Sequence, residues 1–338
     1  MKFKHYGHKR TIRGKPVHIT QAERERTIVE REKAEESASH YASKDVEAKF
    51  LTPKSVNFIE TDEIKEYERR IELWMKAGYP VHIIGPTGCG KTALAIRMAE
   101  KLGRPSMWIN GDEAITTSDL IGGYSRIEMT TVRDKYIHNV YKDRDVIEPQ
   151  WVSNPLALAC QNGYTLIYNE FARTRPEANN VLLSVLEEGV LELPTKFGEE
   201  RYVKVHPNFN VIMTSNNIEY AGVHKPQDAL LDRVVAIHMD YYNKETETEI
   251  VQAHSKISKQ EAERIVNIVR ALRKKLNGPE RPGTRPAIMI AQGLMTADGY
   301  DEKYFEQVCV DAIANKFESL EDVTKKIAII REQITRFN

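Results

Sequence analysis

No apolar run in this chain approaches the roughly 18 residues that a membrane-spanning helix needs, and its charged start has no apolar core of the kind a secretory signal carries. The expectation is a cytosolic protein without a membrane partner. Cysteine is scarce: Cys89, Cys160 and Cys309 are three in 338 residues, too few and too scattered for a disulfide framework or a zinc site. Net charge is missing too. Lys and Arg number 49 and Asp and Glu number 49, so no global field holds the chain on nucleic acid or an anionic surface. There is no internal repeat. What is present, 41% hydrophobic and 29% charged residues, suffices to bury a full core in about two domains plus a tail.

Against that background one stretch stands out. Gly85-Pro86-Thr87-Gly88-Cys89-Gly90-Lys91-Thr92 fits the G-x-x-x-x-G-K-[ST] phosphate-binding loop. The apolar run Val81-His82-Ile83-Ile84 before it reads as a buried strand, and Ala93 to Ala99 after it reads as a helix. Strand, glycine loop and helix are the context the motif needs. The glycines let backbone N–H groups close around phosphate oxygens, and the helix start points its unpaired amides at the same anion. Lys91 is expected to reach the β- and γ-phosphates, and the Thr92 hydroxyl to ligate Mg²⁺. Cys89 reads as a small, tolerated loop residue; a thiol at a helix start can also be redox-sensitive.

Three regions follow from the patterning. Residues 1–51 form a charged extension: Lys2, Lys4, Lys9, Arg10, Arg13 and Lys15 make a basic arm, and Ala22 to Lys49 is helix-forming but has hardly any apolar stripe. That helix is either a solvated tail or a docking element. Residues 52–241 carry five expected strands, near 81–84, 106–110, 164–170, 209–214 and 234–237, alternating with helices, which means an α/β fold with a parallel sheet and a ligand beyond the strand C-termini. A helix is expected from Asp112 to Ile121 and another from Pro176 to Glu188. Between Gly122 and Gln150 two short β-like runs, Thr130–Val132 and Tyr136–Tyr141, suggest an inserted hairpin, and a second hairpin is expected at 190–205. Residues 242–338 lose strand character and read as an α-helical second domain, with helices near 258–277, 286–297, 301–317 and 320–335.

The polar residues at strand ends narrow the use of the nucleotide. Glu170 sits where a carboxylate can orient water for in-line attack on a γ-phosphate. Asn216 ends the neighbouring strand, placed to bind the γ-phosphate or that water. Arg233 precedes the last strand and Arg285 opens a helix of the second domain; guanidinium groups suit the charge that spreads in phosphoryl transfer.

From about Ser55 onward the chain resembles AAA+ ATPases of the MoxR branch, and more closely the gas vesicle protein N family. The resemblance rests on the phosphate loop, Ser118-Asp119-Leu120-Ile121-Gly122, the stretch from Asn169 to Asn180, Glu219-Tyr220-Ala221-Gly222-Val223-His224, and Asp228-Ala229-Leu230-Leu231-Asp232-Arg233. It implies an AAA+ P-loop NTPase core with a five-stranded parallel sheet and a C-terminal α-helical lid. It also implies ATP and Mg²⁺ as ligands, a homo-oligomeric ring expected as a hexamer, and the gas vesicle shell protein or accessory gas vesicle proteins as partners. By the same resemblance Asn216 is sensor 1, Arg233 an arginine finger offered to a neighbour, Arg285 sensor 2, and Arg173 a second interface arginine. The segment 122–150 matches the helix-2 insert and 190–205 the pre-sensor hairpin; both face the pore in such rings, making Tyr136, Ile137 and Tyr141 candidate substrate contacts.

The chain departs from that pattern at one position. Where the family has Asp-Glu, this chain has Asn169-Glu170, which keeps an acceptor oxygen but removes a negative charge beside Mg²⁺. Two readings stay open: an ATPase that remodels or loads protein subunits, and an ATP-gated assembly scaffold that scarcely hydrolyses. A nucleic-acid motor, suggested by the basic arm, is weighed against by zero net charge and by the lack of a basic patch interleaved with aromatics.

Overall fold

Five short segments with largely apolar centres pair into one parallel sheet, as suits strands covered by helices on both faces. They are β1 (Val81–Ile84), β2 (Ser106–Asn110), β5 (Thr165–Asn169), β8 (Asn210–Ser215) and β9 (Val235–His238), in the spatial order β2-β5-β8-β1-β9. β1 lies between β8 and β9, with Val81 opposite Ile212 and Val235. The strand order reverses there, so the crevice beyond the β1 C-terminus is the natural ligand position. The computed structural model describes residues 58–133, 143–193, 201–216, 224–297, 299–314 and 320–337, all within the unit Phe50–Asn338. The expected helix at 22–49, Tyr136, Ile137, Tyr141 and residues 219–223 lie outside them.

Helix α1 (Asp62–Lys76) is capped by Thr61 and buries Ile64, Ile71 and Met75 on the sheet. α2 (Lys91–Lys101) follows the phosphate loop and buries Leu94, Ala95 and Met98. Glu68 of α1, 2% exposed, is paired with Lys101 and Arg97 of α2, which locks these two helices together. A core of Ile71, Val81, Ile83, Leu94, Met98, Ile167 and Ile212 fills this side of the sheet.

Three local expectations need correction. The helix expected from Asp112 begins only at Thr117: Asp112 Oδ1 accepts from the Ala114 N–H at 2.9 Å in a side-chain turn, and Thr116 with Asp119 forms the capping box of α3 (Thr117–Ile121). The insert is a longer hairpin than expected, β3 (Gly122–Arg133) against β4 (Asp143–Ser153), antiparallel with a bulge at Tyr124/Arg126. It does stand between two helices, α3 and α4 (Pro155–Asn162). The expected helix 176–188 is two pieces, α5 (Pro176–Asn179) and α6 (Val181–Glu187). They meet where buried Asn179 is drawn inward to accept a hydrogen bond from the Tyr168 hydroxyl at 3.0 Å. The second hairpin, β6 (Val190–Glu192) with β7 (Tyr202–Lys204), falls where its sequence placed it.

After α7 (Asp228–Leu231) and β9 the chain is helical: α8 (Lys244–Ser255), α9 (Lys259–Lys275), α10 (Thr284–Met295), α11 (Glu302–Ile313) and α12 (Leu320–Arg336). Ser258 caps α9 through the Glu261 N–H, as the capping-box spacing predicts. These helices enclose their own core of Ile265, Val269, Leu272, Ile290, Phe305 and Ile330.

Candidate functional site

The phosphate loop leaves β1 at Gly85 and turns into α2 at Gly90, which adopts φ +98° and leaves the first amides of the helix without intrahelical acceptors. Lys91 is 7% exposed. Its ammonium donates to Gly85 O at 3.0 Å, Pro86 O at 2.8 Å and Asn216 Oδ1 at 2.9 Å. None of the three is a carboxylate, so a buried cation faces the loop without an anion bound directly to it. Burial pushes its pKa down, opposed by Cys89 and Glu170. A phosphate chain in the loop would supply the missing negative charge. Cys89 is buried, and burial raises its pKa, so the redox alternative for this thiol is not favoured.

At the end of β5, Asn169 gathers three polar neighbours. Its Oδ1 accepts from the Thr92 hydroxyl and the Thr214 hydroxyl, each at 2.8 Å, and its Nδ2 donates to Asn110 Oδ1 at 2.7 Å. The Thr214 oxygen in turn accepts from the Glu170 N–H at 3.1 Å. Glu170 has φ +50°, a left-handed conformation uncommon for a residue with a side chain, of the kind that clusters at functional sites. Its carboxylate accepts from Arg173 Nη1 at 3.0 Å.

These residues open onto a cleft of about 450 Å³, in the range of small-ligand pockets. Lys91, Thr92, Asn169, Glu170, Asn216 and Arg285 form its polar part, and Phe58, Ile59, Ile250 and Ile288 give it apolar walls. The helical half closes the cleft through a backbone seam. The Thr284 N–H donates to Gly88 O at 3.1 Å, and a Cβ placed on Gly283 would lie 2.6 Å from Thr87 O and 2.9 Å from Gly88 Cα. Only glycine allows this approach.

A second device holds that seam. Glu247 of α8 is 1% exposed. Its carboxylate accepts from Arg273 Nη2 at 2.7 Å, Arg270 Nη1 at 2.7 Å and the Thr284 hydroxyl at 2.9 Å. Arg270 also donates to Tyr242 O at 2.8 Å, and the Tyr242 ring lies against Gly90. The guanidinium of Arg273 stacks 3.8 Å over Tyr241. A buried carboxylate thus fixes the first residue of α10, next to Arg285.

The sequence-derived candidates therefore divide. Gly85, Pro86, Thr87, Gly88, Cys89, Gly90, Lys91 and Thr92 make the loop, and Asn169, Glu170, Asn216 and Arg285 meet it at the cleft. Arg233 does not line it; it donates to Glu187 Oε2 (Nε, 3.0 Å) and to Ala229 O. Glu247, Arg270, Arg273, Thr214 and Asn110 were not singled out from the sequence. Arg270 and Arg273 did carry a signal: they fall among Val266, Val269 and Leu272 on the amphipathic face of α9, where a cation needs a buried partner.

Comparison with known proteins agrees with this architecture. Residues 80–234 match the model of the AAA domain (dynein-related subfamily). The chain is 48% identical over 93% of its length to the gas vesicle ATPase GvpN of Haloferax mediterranei, covering 92% of that protein. It is 47% identical to the gas vesicle ATPase GvpN1 of Halobacterium salinarum, covering 93% of each. It is 41% identical to the gas vesicle ATPase GvpN of Ancylobacter aquaticus, over 84% of this chain and 80% of that one. A phosphate loop closed by a helical lid, a parallel sheet reversing beside it and identity of this extent place the chain in the gas vesicle ATPase GvpN family of AAA+ proteins.

Proposed function

We propose that the chain binds ATP in this cleft, hydrolyses it at an interface between subunits of a homo-oligomeric ring, and uses turnover to remodel or load protein subunits during gas vesicle shell assembly. As a member of its family it is an ATP-hydrolysing enzyme. The observation that carries the finer reading is a division of labour: six polar groups converge on one cleft, while Arg233 stands outside it on the same chain. A guanidinium placed away from its own loop suits a neighbour's triphosphate, in the manner of an arginine finger. The ring is taken as a hexamer acting beside gas vesicles in the cytosol. We assign residues 52–241 to the nucleotide-binding domain, 242–338 to the lid and 1–51 to an extension.

In this scheme Lys91 exchanges its contacts with Gly85 O and Pro86 O for β- and γ-phosphate oxygens while Asn216 keeps it aimed. Glu170 orients the attacking water once it is free of Arg173, and Arg285 meets the phosphates from the lid. Thr92 and Asn169 present neutral oxygens 2.8 Å apart, a donor set that fits a hard divalent cation arriving on the nucleotide. Bound there, Mg²⁺ neutralises charge that builds up on the phosphates.

The interface reading is tested by sizing the protein with and without Mg-ATP and by Arg233→Ala. The variant is expected to bind ATP as the parent does and to lose about 10³-fold in turnover. Adding it to an excess of a Lys91 variant should restore activity at mixed interfaces. Turnover of the parent that is independent of protein concentration and assembly would overturn the proposal.

One observation favours a second reading, the ATP-gated scaffold: position 169 offers the cation site an amide where an aspartate would add charge. Asn169→Asp keeps both hydroxyl contacts, and Asn110 needs only to turn its amide to donate instead of accept. The substitution is expected to raise steady-state ATP turnover about tenfold, since each 1.36 kcal/mol removed from the barrier is worth that factor. An unchanged rate across Mg²⁺ concentrations refutes the role assigned to this position.

A further inference from the structure

β1 leads straight into the phosphate loop and carries one polar side chain among apolar ones, the buried His82. Its neighbours Val81 and Ile83 face the core shared with α1 and α2, so His82 lies on the other face of the sheet. There Nε2 and the buried Ser215 Oγ of β8 are joined by a hydrogen bond of 2.7 Å. The ring stands edge-on to Phe171, with centroids 4.8 Å apart and planes at 86°. Nδ1 has no hydrogen-bond partner among the described residues. Both contacts fall one residue from the cleft. Ser215 directly precedes Asn216, whose Oδ1 accepts from Lys91, and Phe171 directly follows Glu170. The main chain repeats the first tie, since the Gly85 N–H donates to Ser215 O at 3.3 Å.

The sheet itself does not need a histidine here. An apolar side chain of similar volume would pack without an idle nitrogen, and replacing both partners of a buried polar pair by apolar groups is close to neutral for stability. Nor does the ring bring charge: burial, with His238 nearby, pushes its pKa down to about 3, so it is neutral at working pH. What the imidazole adds is a fixed spacing between three chain segments that all end at the cleft, β1 at the loop, β8 at Asn216 and the turn after β5 at Glu170.

We propose that His82 is a positioning residue for ATP hydrolysis, holding Asn216 through Ser215 and Glu170 through Phe171 in register with the phosphate loop. The proposal rests on the reading that Glu170 and Asn216 act on the attacking water and the γ-phosphate. Glu170 stands in a left-handed conformation, which persists only where the surroundings hold it, and the ring of His82 against Phe171 is part of that hold. Without the tie, the end of β8 and the turn at Glu170 can drift by a fraction of an ångström relative to the loop. The loop keeps its own amides and Lys91, so nucleotide still binds, and the misalignment appears in the chemical step.

The test measures kcat for ATP, ATP affinity and the midpoint of thermal unfolding on the full chain. The double variant His82→Leu, Ser215→Ala removes both polar partners and keeps the volume. It is expected to lose about tenfold in kcat, with ATP affinity within about threefold of the parent and a midpoint no lower. Ser215→Ala alone should lose about as much kcat as the pair, because either change breaks the same tie. His82→Gln puts an amide nitrogen where Nε2 stood and should keep kcat within about threefold of the parent. Glu170→Gln, measured alongside, separates two kinds of failure. If it turns over like the parent, the assignment of the site falls and this proposal with it; if it is inactive while the Leu/Ala pair turns over like the parent, only the positioning role falls. A fall in kcat matched by a lower midpoint, a loss of ATP affinity at unchanged kcat, or a His82→Gln variant as slow as the Leu/Ala pair would each overturn the proposal as well.

Discussion

Glu170→Gln is expected to lower steady-state ATP turnover by about 10²- to 10³-fold while leaving ATP affinity within about threefold, the signature of a group that acts on the attacking water and not on ground-state binding. The glutamine keeps the size and left-handed backbone of Glu170 and can still receive a hydrogen bond from Arg173, but it cannot take up or strongly orient a proton. Because ATP stays bound, the variant should also hold the assembly together, so sizing in Mg-ATP should show more of the large species than the parent does. The ion pair with Arg173 offers an internal control. Both partners are partly exposed, 51% and 34% at the side chain, so as a structural contact the pair contributes little. If Glu170 mattered only as Arg173's partner, Glu170→Gln, which still accepts from Arg173, would turn over like the parent. Parent-like turnover in Glu170→Gln would remove Glu170 from the chemistry.

The second large effect is expected at Glu247, in stability as well as function. Its carboxylate is 1% exposed and satisfies two guanidinium groups and the Thr284 hydroxyl at once. Removing one partner of a buried pair leaves uncompensated charge, here on Arg273, whose side chain is only 10% exposed. Glu247→Ala is therefore expected to cost about 3–5 kcal/mol and to lower the midpoint of thermal unfolding by about 10 °C. Glu247→Gln keeps an acceptor for Thr284 and should lose less. Since Thr284 starts the helix that carries Arg285, the milder variant should still bind ATP less tightly, and that loss should be absent when Arg285→Ala is already in place. Additive losses in the double variant would make the clamp structural only, and a Glu247→Ala midpoint within a degree or two of the parent's would show the buried charges to be solvated after all.

How much of this was legible beforehand follows from what each feature depends on. The sheet was, because a strand buried on both faces carries a short apolar run, so Val81–Ile84 and the Val211–Met213 run of β8 announce themselves without their neighbours. The loop was, because its chemistry fixes residue types at fixed spacing. Asn169, Glu170, Asn216 and Arg285 were legible as polar punctuation after apolar runs or at a helix start. The start of α3 was not: a short side-chain turn at Asp112 competes with the helix, and the choice between them rests on a balance of hydrogen bonds too fine for periodicity to settle. Glu247 was hidden for another reason. In sequence it is one acidic residue in the first turn of a helix, indistinguishable from Glu245, and only tertiary packing against Arg270 and Arg273 sets it apart. Gly283 was hidden in the same way, since a close approach between distant backbones leaves no trace at either position taken alone.

That approach has a mechanical consequence. Where Gly283 meets Thr87 and Gly88, main chain touches main chain with no side chain between them to bend, rotate or repack. Under the proposed ATP cycle, a displacement of the loop as it takes in or releases a phosphate would reach the start of α10 with no side chain between to absorb it, like motion through a joint with no play. The five-helix half would then be the long arm of a lever whose short arm is a few glycines wide.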